Sequence, residues 1–214
     1  TSPIYTMPGV YLVVAPLSIL ELRVEAAPVF YWPIGLDGAG YYPLDSYSSD
    51  YSPEQLPGPE GSEALGWYLR TGIALQGAIP MGPVQLLFQD SVNFEHWQLG
   101  DGDYYFHNRN DIPAASSEWF VVNNAVLLLE IPLHPNTSLR VGGNDELVAN
   151  FGAGQISNSL RGMAMLHIAR AGRVVRELTP AVLIGGRTHH PVRQGDLTFT
   201  IAVSFKLDLL AARK

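Results

Sequence analysis

Residues 197–209 alternate without interruption. Phe199, Ile201, Val203, Phe205, Leu207 and Leu209 fall on one side, and Thr198, Thr200, Ala202, Ser204, Lys206 and Asp208 on the other. A period of two over that length specifies a strand and excludes a helix. Soluble strands typically run about five or six residues, whereas a tilted strand crossing a bilayer needs about 9–11. One face is apolar throughout, and the other carries small polar residues and a Lys/Asp pair. A wall between lipid and a polar lumen has this pattern.

Composition agrees with strands of this kind. Hydrophobic residues make up 47% of the chain and charged residues 15%, below the usual quarter. No apolar run approaches the 18 residues of a membrane helix. The net charge is −7 with two lysines, Lys206 and Lys214, and no basic cluster. Nucleic acid and anionic headgroups are therefore poor electrostatic partners. The absence of cysteine removes disulfides, thiolate catalysis and cysteine metal sites. The sequence opens on Thr1 without an initiator Met or signal peptide, which reads as a processed or truncated form.

Residues 1–8 read as an unstructured tail. Strands are expected at 9–15, interrupted by Pro16, and at 20–32, where Leu20, Leu22, Val24, Ala26, Phe30 and Trp32 oppose Glu21, Arg23 and Glu25. Residues 33–65 read as a long external loop. Further strands are expected at 66–78, 84–97, 118–133, 139–150, 159–169, 174–185 and 197–209. Asp90 breaks the apolar face of its strand, and a β-bulge there would turn it inward. Residues 98–117 read as a second long polar loop.

Two regularities emerge. Connections alternate between short, near Pro16, Pro80, Pro135 and Gly172, and long, beginning at Pro33, Gln98, Phe151 and Gly186. All four tryptophans, Trp32, Trp67, Trp97 and Trp119, stand beside the long connections, where antiparallel strands bring them to one rim as a membrane-interface girdle.

The strand 20–25, the turn entry 81–84, the run 119–129 and the hairpin 183–210 resemble bacterial outer-membrane β-barrel proteins, of the uncharacterised proteobacterial type. The resemblance implies a single domain over 1–214. It would be all-β, an antiparallel up-and-down transmembrane β-barrel of about 8–10 strands, lodged in the bacterial outer membrane with the lipid bilayer as its partner. It also implies a structural scaffold or narrow channel, with external loops for partner contact. The nine strands counted here depart from the even number of such barrels, and the chain ends at Lys214 rather than on an aromatic residue.

The lumen-lining residues expected on this reading are Glu21, Arg23, Glu25, Arg70, Glu130, Arg140, Glu146, Arg161, His167, Arg176, Lys206 and Asp208. An eight-stranded barrel is just wide enough for its side chains, so these charges read as a self-neutralising plug or a very narrow pore. The tyrosines of the first loop, Tyr41, Tyr42, Tyr47 and Tyr51, are the candidate partner contact.

His96, His107, His189 and His190 with Asp101, Asp103 and Asp111 gather near the loop end but match no metal spacing, so no metal or cofactor is expected. His167 has no nearby serine, although Ser91 and Ser204 could come from other strands; no enzymatic activity is expected. Asn136-Thr-Ser138 reads as turn chemistry, and Gly152-Ala-Gly154 lacks the spacing of a phosphate loop. The other architecture open to this pattern is a soluble β-sandwich or jelly roll, as a capsid-like structural or ligand-binding module, whose apolar faces pack on each other.

Overall fold

Long amphipathic strands dominate the computed structural model, which describes residues 4–32, 41–48, 62–100, 102–107, 109–170 and 175–207. In chain order they are β1 (Ile4–Thr6), β2 (Val10–Leu17), β3 (Leu20–Trp32), β4 (Pro43–Leu44), β5 (Ala64–Met81), β6 (Val84–Leu99), β7 (Tyr104–His107), β8 (Ile112–Ala115), β9 (Ser117–His134), β10 (Thr137–Asn150), β11 (Ile156–Ala169), β12 (Val175–His189) and β13 (Leu197–Leu207). Ten of them form one antiparallel sheet in the order β1-β3-β5-β6-β9-β10-β11-β12-β13, with β2 also on β3. The other three, β4, β7 and β8, form a small separate sheet. The chain is thus all-β, and neighbouring strands of the large sheet follow one another as hairpins.

β1 and β2 share one lane. β2 pairs with the first half of β3, up to Val10 opposite Ala26, and β1 with its end, from Thr6 opposite Phe30. Pro28 lies between those two stretches, where its missing N–H leaves no ladder bond unmade. Gly9 fills the same break: a Cβ there would meet the Ala26 carbonyl oxygen and the Ala27 side chain, each at 2.7 Å. The sheet therefore has nine lanes, and its outermost strands, β1/β2 and β13, run in the same direction.

The sheet curls. In a flat sheet the second lane, β3, and the eighth, β12, would stand about 29 Å apart at about 4.8 Å per strand. Here the small β7–β8 hairpin reaches both. Tyr31 of β3 packs in one buried cluster with Tyr105 and Ile112 of the hairpin, which also takes in Trp97 of β6, Phe120 of β9 and Val148 of β10. Asp111 at the hairpin tip pairs with Arg187 of β12. The hairpin thus sits in the concave side of the sheet. Among the described residues β2 and β13 are not paired with each other.

Several expectations need correction. The 98–117 stretch is not an exposed polar loop. Its apolar runs 104–107 and 112–115 pair with each other, and Tyr105, Phe106, His107, Ile112 and Ala114 are buried. Residues 4–6 of the expected tail are a strand. The 79–83 turn shrinks to Gly82-Pro83, with Met81 opposite Val84 and Gly82 at a φ of 68°. Pro80 is accommodated because β3, whose last partner on β5 is Leu75, no longer runs alongside. Pro16 lies within β2, an outermost strand whose register shifts between Val14 and Leu17. No bulge forms at Asp90: the pairing of β6 runs unbroken through it on both sides, and the side chain stays outward and exposed.

Candidate functional site: a charged interior under a buried hairpin

Alternation sorts each long strand into an inner and an outer face. Glu21, Arg23, Glu25, Ala27, Val29 and Tyr31 of β3 point inward, and Leu22, Val24 and Trp32 outward. The same parity places Arg70 of β5, Glu95 and Trp97 of β6, Glu118 and Glu130 of β9, Arg140 and Glu146 of β10, and Arg161 and His167 of β11 on the concave side.

The most tightly connected part of the interior is a relay of ion pairs. Arg23 Nη2 lies 3.2 Å from Glu25, and Arg70 Nη1 lies 3.5 Å from that carboxylate. Arg70 Nη2 continues to Glu95 at 2.8 Å, and Arg109 of the hairpin reaches Glu95 at 3.6 Å. Glu95 is fully buried, which demands that its oxygens be satisfied. Tyr68 OH donates to it at 3.4 Å and Trp97 Nε1 at 3.1 Å. The Arg109 guanidinium lies 5.6 Å from the Tyr68 ring centroid and 5.7 Å from that of Trp97. Its neighbour Glu95 keeps this cation strongly protonated against the opposing effect of burial.

The far end of the hairpin is latched as well. Asp111, one of two non-glycine residues with positive φ among the described residues (57°), pairs with Arg187 and, at 2.9 Å, with Arg193. His190 Nε2 donates to the Asp111 carbonyl at 2.8 Å. Its Nδ1 accepts from the backbone N–H groups of Val192 and Arg193, and burial lowers its basicity. Asn150 Nδ2 donates to the Pro113 carbonyl at 2.9 Å. Outside the hairpin, Tyr47 donates to Glu118 at 2.5 Å. Partial burial and that carboxylate push the Tyr47 phenol well above its ordinary range.

Three cavities follow one another down the concave side. The first, about 350 Å³, is capped by Arg109 and Asn110 and lined by Glu21, Arg23, Arg70, Gln89, Asn93, Asn124 and Glu146. The second, about 610 Å³, shares Gln89 with it and has an apolar waist of Leu87, Leu128, Met163 and Met165. The third, about 260 Å³, shares Arg140 with the second and is lined by Glu130, His134, Ser138 and His167. The inner face is therefore polar at its two ends and apolar between.

Of the residues expected in the lumen, Glu21, Arg23, Glu25, Arg70 and Glu146 meet at the first cavity or its ion-pair relay. Arg161 holds Glu146 at 3.0 Å. Glu130, Arg140 and His167 meet at the third, where Arg140 Nε lies 2.8 Å from Glu130 and Ser138 donates to the same oxygen at 2.5 Å. Lys206 pairs at 3.2 Å with Glu177, a residue the pattern did not single out. Arg176 is exposed beside the register shift of β12 and lines none of these cavities. Asp208 lies outside the described residues, as do Asp101 and Tyr51.

The four tryptophans do not share one face. Trp32, Trp67 and Trp119 face outward, 44%, 43% and 44% exposed, but Trp97 is 0% exposed and faces inward. Its position is one residue out of phase with His96, which occupies the outer site instead. The His96 ring lies between Trp67 (4.6 Å) and Trp119 (4.7 Å). The histidines near the loop end do not converge: His107 packs inside against Trp97, His96 is outside, and His190 is tied to Asp111.

Glu95, Arg109, Asn110 and Arg187 were missed as site residues, and Asp111 was weighed only as a metal ligand beside the loop-end histidines. The inward parity of Gln89, Ser91 and Asn93 extends directly to Glu95. The hairpin residues had a weaker signal, two short apolar runs separated by four positions. No protein-family model, curated protein or solved structure matches this chain.

Proposed function

We propose that the protein is a β-barrel of the outer-membrane type, acting as a scaffold or narrow channel whose interior is filled at one end by the β7–β8 hairpin. The carrying observation is sidedness. Across the lanes the convex face presents Leu22, Val24, Ile73, Leu75, Leu127, Leu160, Ile184, Ile201 and Val203, all large and exposed, while ion pairs and amides occupy the concave face. A lipid-facing wall around a polar interior asks for that division. The bilayer would cover the apolar convex face. Tyr41 and Tyr42, expected as partner contacts, are buried in the interior packing, so a partner surface would fall to the exposed rim residues Pro43, Asp45 and Ser48. Barrel closure joins β2 to β13, and with nine lanes that seam is parallel.

The chain has no cysteine, so introduced pairs report the seam cleanly. Single cysteines at Leu12 or Val14 are combined in turn with single cysteines at Phe199, Ile201 or Val203, which share their outward parity. Oxidation of membrane-extracted protein should yield an intramolecular cross-link for at least one pair. A protein soluble without detergent, with no cross-link in any combination, refutes the barrel. Heat-modifiable migration on a gel and single-channel recording then separate an open lumen from a filled one.

A second reading, a soluble sandwich-type module, draws on Asp90 and Asp145. Both face the convex side and are exposed, each accepting an amide hydrogen bond at 2.7 Å, from Asn123 and Asn158. Water meets such carboxylates at no cost, and lipid does not.

A further inference from the structure

We infer that the cavity beneath the hairpin is a binding site for a small monocarboxylate. Two polar atoms at its lining residues are buried without a hydrogen-bond partner: Asn110 Nδ2 and Arg23 Nε. Asn110 is 6% exposed and sits on the hairpin that caps the cavity. Both orphan groups are donors, and a buried unsatisfied donor is costly enough that native structures rarely keep one. Asn124 adds to the set. Its Oδ1 accepts from Asn144 at 3.1 Å, which leaves its amino group for the cavity. These two donors therefore lack an acceptor, and a carboxylate offers two acceptor oxygens to a guanidinium and an amide at once.

Charge sets the limit to one carboxylate. Arg23, Arg70 and Arg109 outnumber Glu25 and Glu95 within the relay, which favours an anionic end. Glu21 and Glu146 also line the cavity, and Glu146 is neutralised by Arg161 while Glu21 is not held in any ion pair of the relay. A second negative charge on the ligand would meet Glu21. The volume, about 350 Å³, lies at the lower end of the range for small-molecule sites. This inference rests on the concave side alone and stands whether or not the sheet closes in a membrane.

The test is calorimetric titration of the purified full chain with lactate, succinate and glucose, beside the variants N110D and N110A. Asn110→Asp keeps the side-chain shape and puts a negative charge where the donor was. Lactate should bind saturably. N110A should weaken it about tenfold, the usual scale for a hydrogen bond to a charged group, and N110D by more. Succinate should bind more weakly than lactate, and glucose should not compete. Absence of lactate binding at millimolar concentration overturns the inference. So does equal lactate affinity in N110D that melts like the parent, or glucose competing as well as lactate. Membrane partition is measured separately, so failure of the barrel reading and failure of this one are told apart.

Discussion

Acidification should release the interior hairpin through His107. This imidazole is fully buried, edge-on to Trp97 at 4.5 Å and against Phe120 at 4.8 Å. Burial, reinforced by the nearby Arg109 cation, lowers its pKa from 6.5 to about 3. A histidine depressed in this way is neutral in the folded protein, while the unfolded chain takes up a proton below 6.5. Stability is therefore whole above that value and is lost as the pH falls from 6.5 towards 3. The slope is about 1.36 kcal/mol per pH unit. At about pH 4.5 the loss from this one group is about 3 kcal/mol, and it levels off near 5 kcal/mol below pH 3. Against a typical domain stability of about 5–15 kcal/mol that is a large share.

The control is His107→Phe. The phenyl ring keeps the aromatic packing and cannot titrate. The Asn110 N–H that donates to Nδ1 at 3.2 Å also donates to the His107 carbonyl at 3.1 Å, so it is not orphaned. Urea unfolding of both proteins would be followed by tryptophan fluorescence across the acid range, with hydrogen exchange at residues 104–115 as a local readout. The stability difference between parent and H107F should shift by about 3 kcal/mol in favour of the variant between neutral pH and about pH 4.5. Ionisable groups common to both proteins cancel in the difference. A difference that stays constant over that window refutes the argument.

Asp111→Asn keeps a residue that tolerates positive φ but removes the charge between Arg187 and Arg193. It should cost about 3 kcal/mol or more and raise proteolytic cleavage of the 102–116 segment, which limited digestion would measure. Trp97→Ala empties a fully buried site and should cost about 3–5 kcal/mol, whereas Trp119→Ala, 44% exposed, should cost far less in urea unfolding; comparable losses would overturn the inside and outside assignments. Gly142→Ala places a Cβ against the Leu127 carbonyl and the Leu128 backbone and should destabilise by about 1–3 kcal/mol, read from the thermal midpoint. Val203→Arg should block membrane assembly at a cost of about 2–4 kcal/mol, with Ser204→Arg milder; equal tolerance at both positions refutes a lipid-facing Val203.

Nearly every long strand was legible, because alternation was strict where one face meets polar neighbours and the other meets none. β3 begins and ends where the pattern placed it, at Leu20 and Trp32. The ends of β5, β6 and β9 were drawn too short, since Pro80 reads as a breaker although it lies where β5 has a partner on one side only. The hairpin escaped because a four-residue run such as Tyr104–His107 is too short to display a period. Its tyrosines, set among glycine and aspartate, read as loop chemistry. Trp97 departs from the pattern for a different reason: proximity to a rim does not fix membership of the outer face, and a one-residue phase difference reverses a strand's side. The inward parity of the charged residues was legible individually. Their partners were not, because pairing across β3, β5 and β6 depends on register and on a hairpin contributed by a distant segment.

The outermost strands carry the strongest argument about what surrounds this sheet. On β2, Val10, Leu12, Val14 and Leu17 are 76%, 64%, 48% and 59% exposed. On β13, Leu197, Phe199, Ile201, Val203 and Phe205 range from 58% to 88%. Soluble proteins protect such edges with charge, proline or bulges. β2 has Pro16 and a register shift at one end, while the described outer face of β13 has neither charge nor proline. An open trough with these two edges in water would pair with further copies of itself. Closure removes both edges at once and puts their apolar faces against the same surroundings as Leu127 and Leu160. The carboxylates of Asp90 and Asp145 count against lipid on that part of the wall, although the penalty for an aspartate there is smaller than for a lysine or arginine, and each is already hydrogen-bonded to an asparagine. Two partly satisfied carboxylates are a smaller liability than two unprotected apolar edges, and this balance favours the closed barrel over the soluble trough.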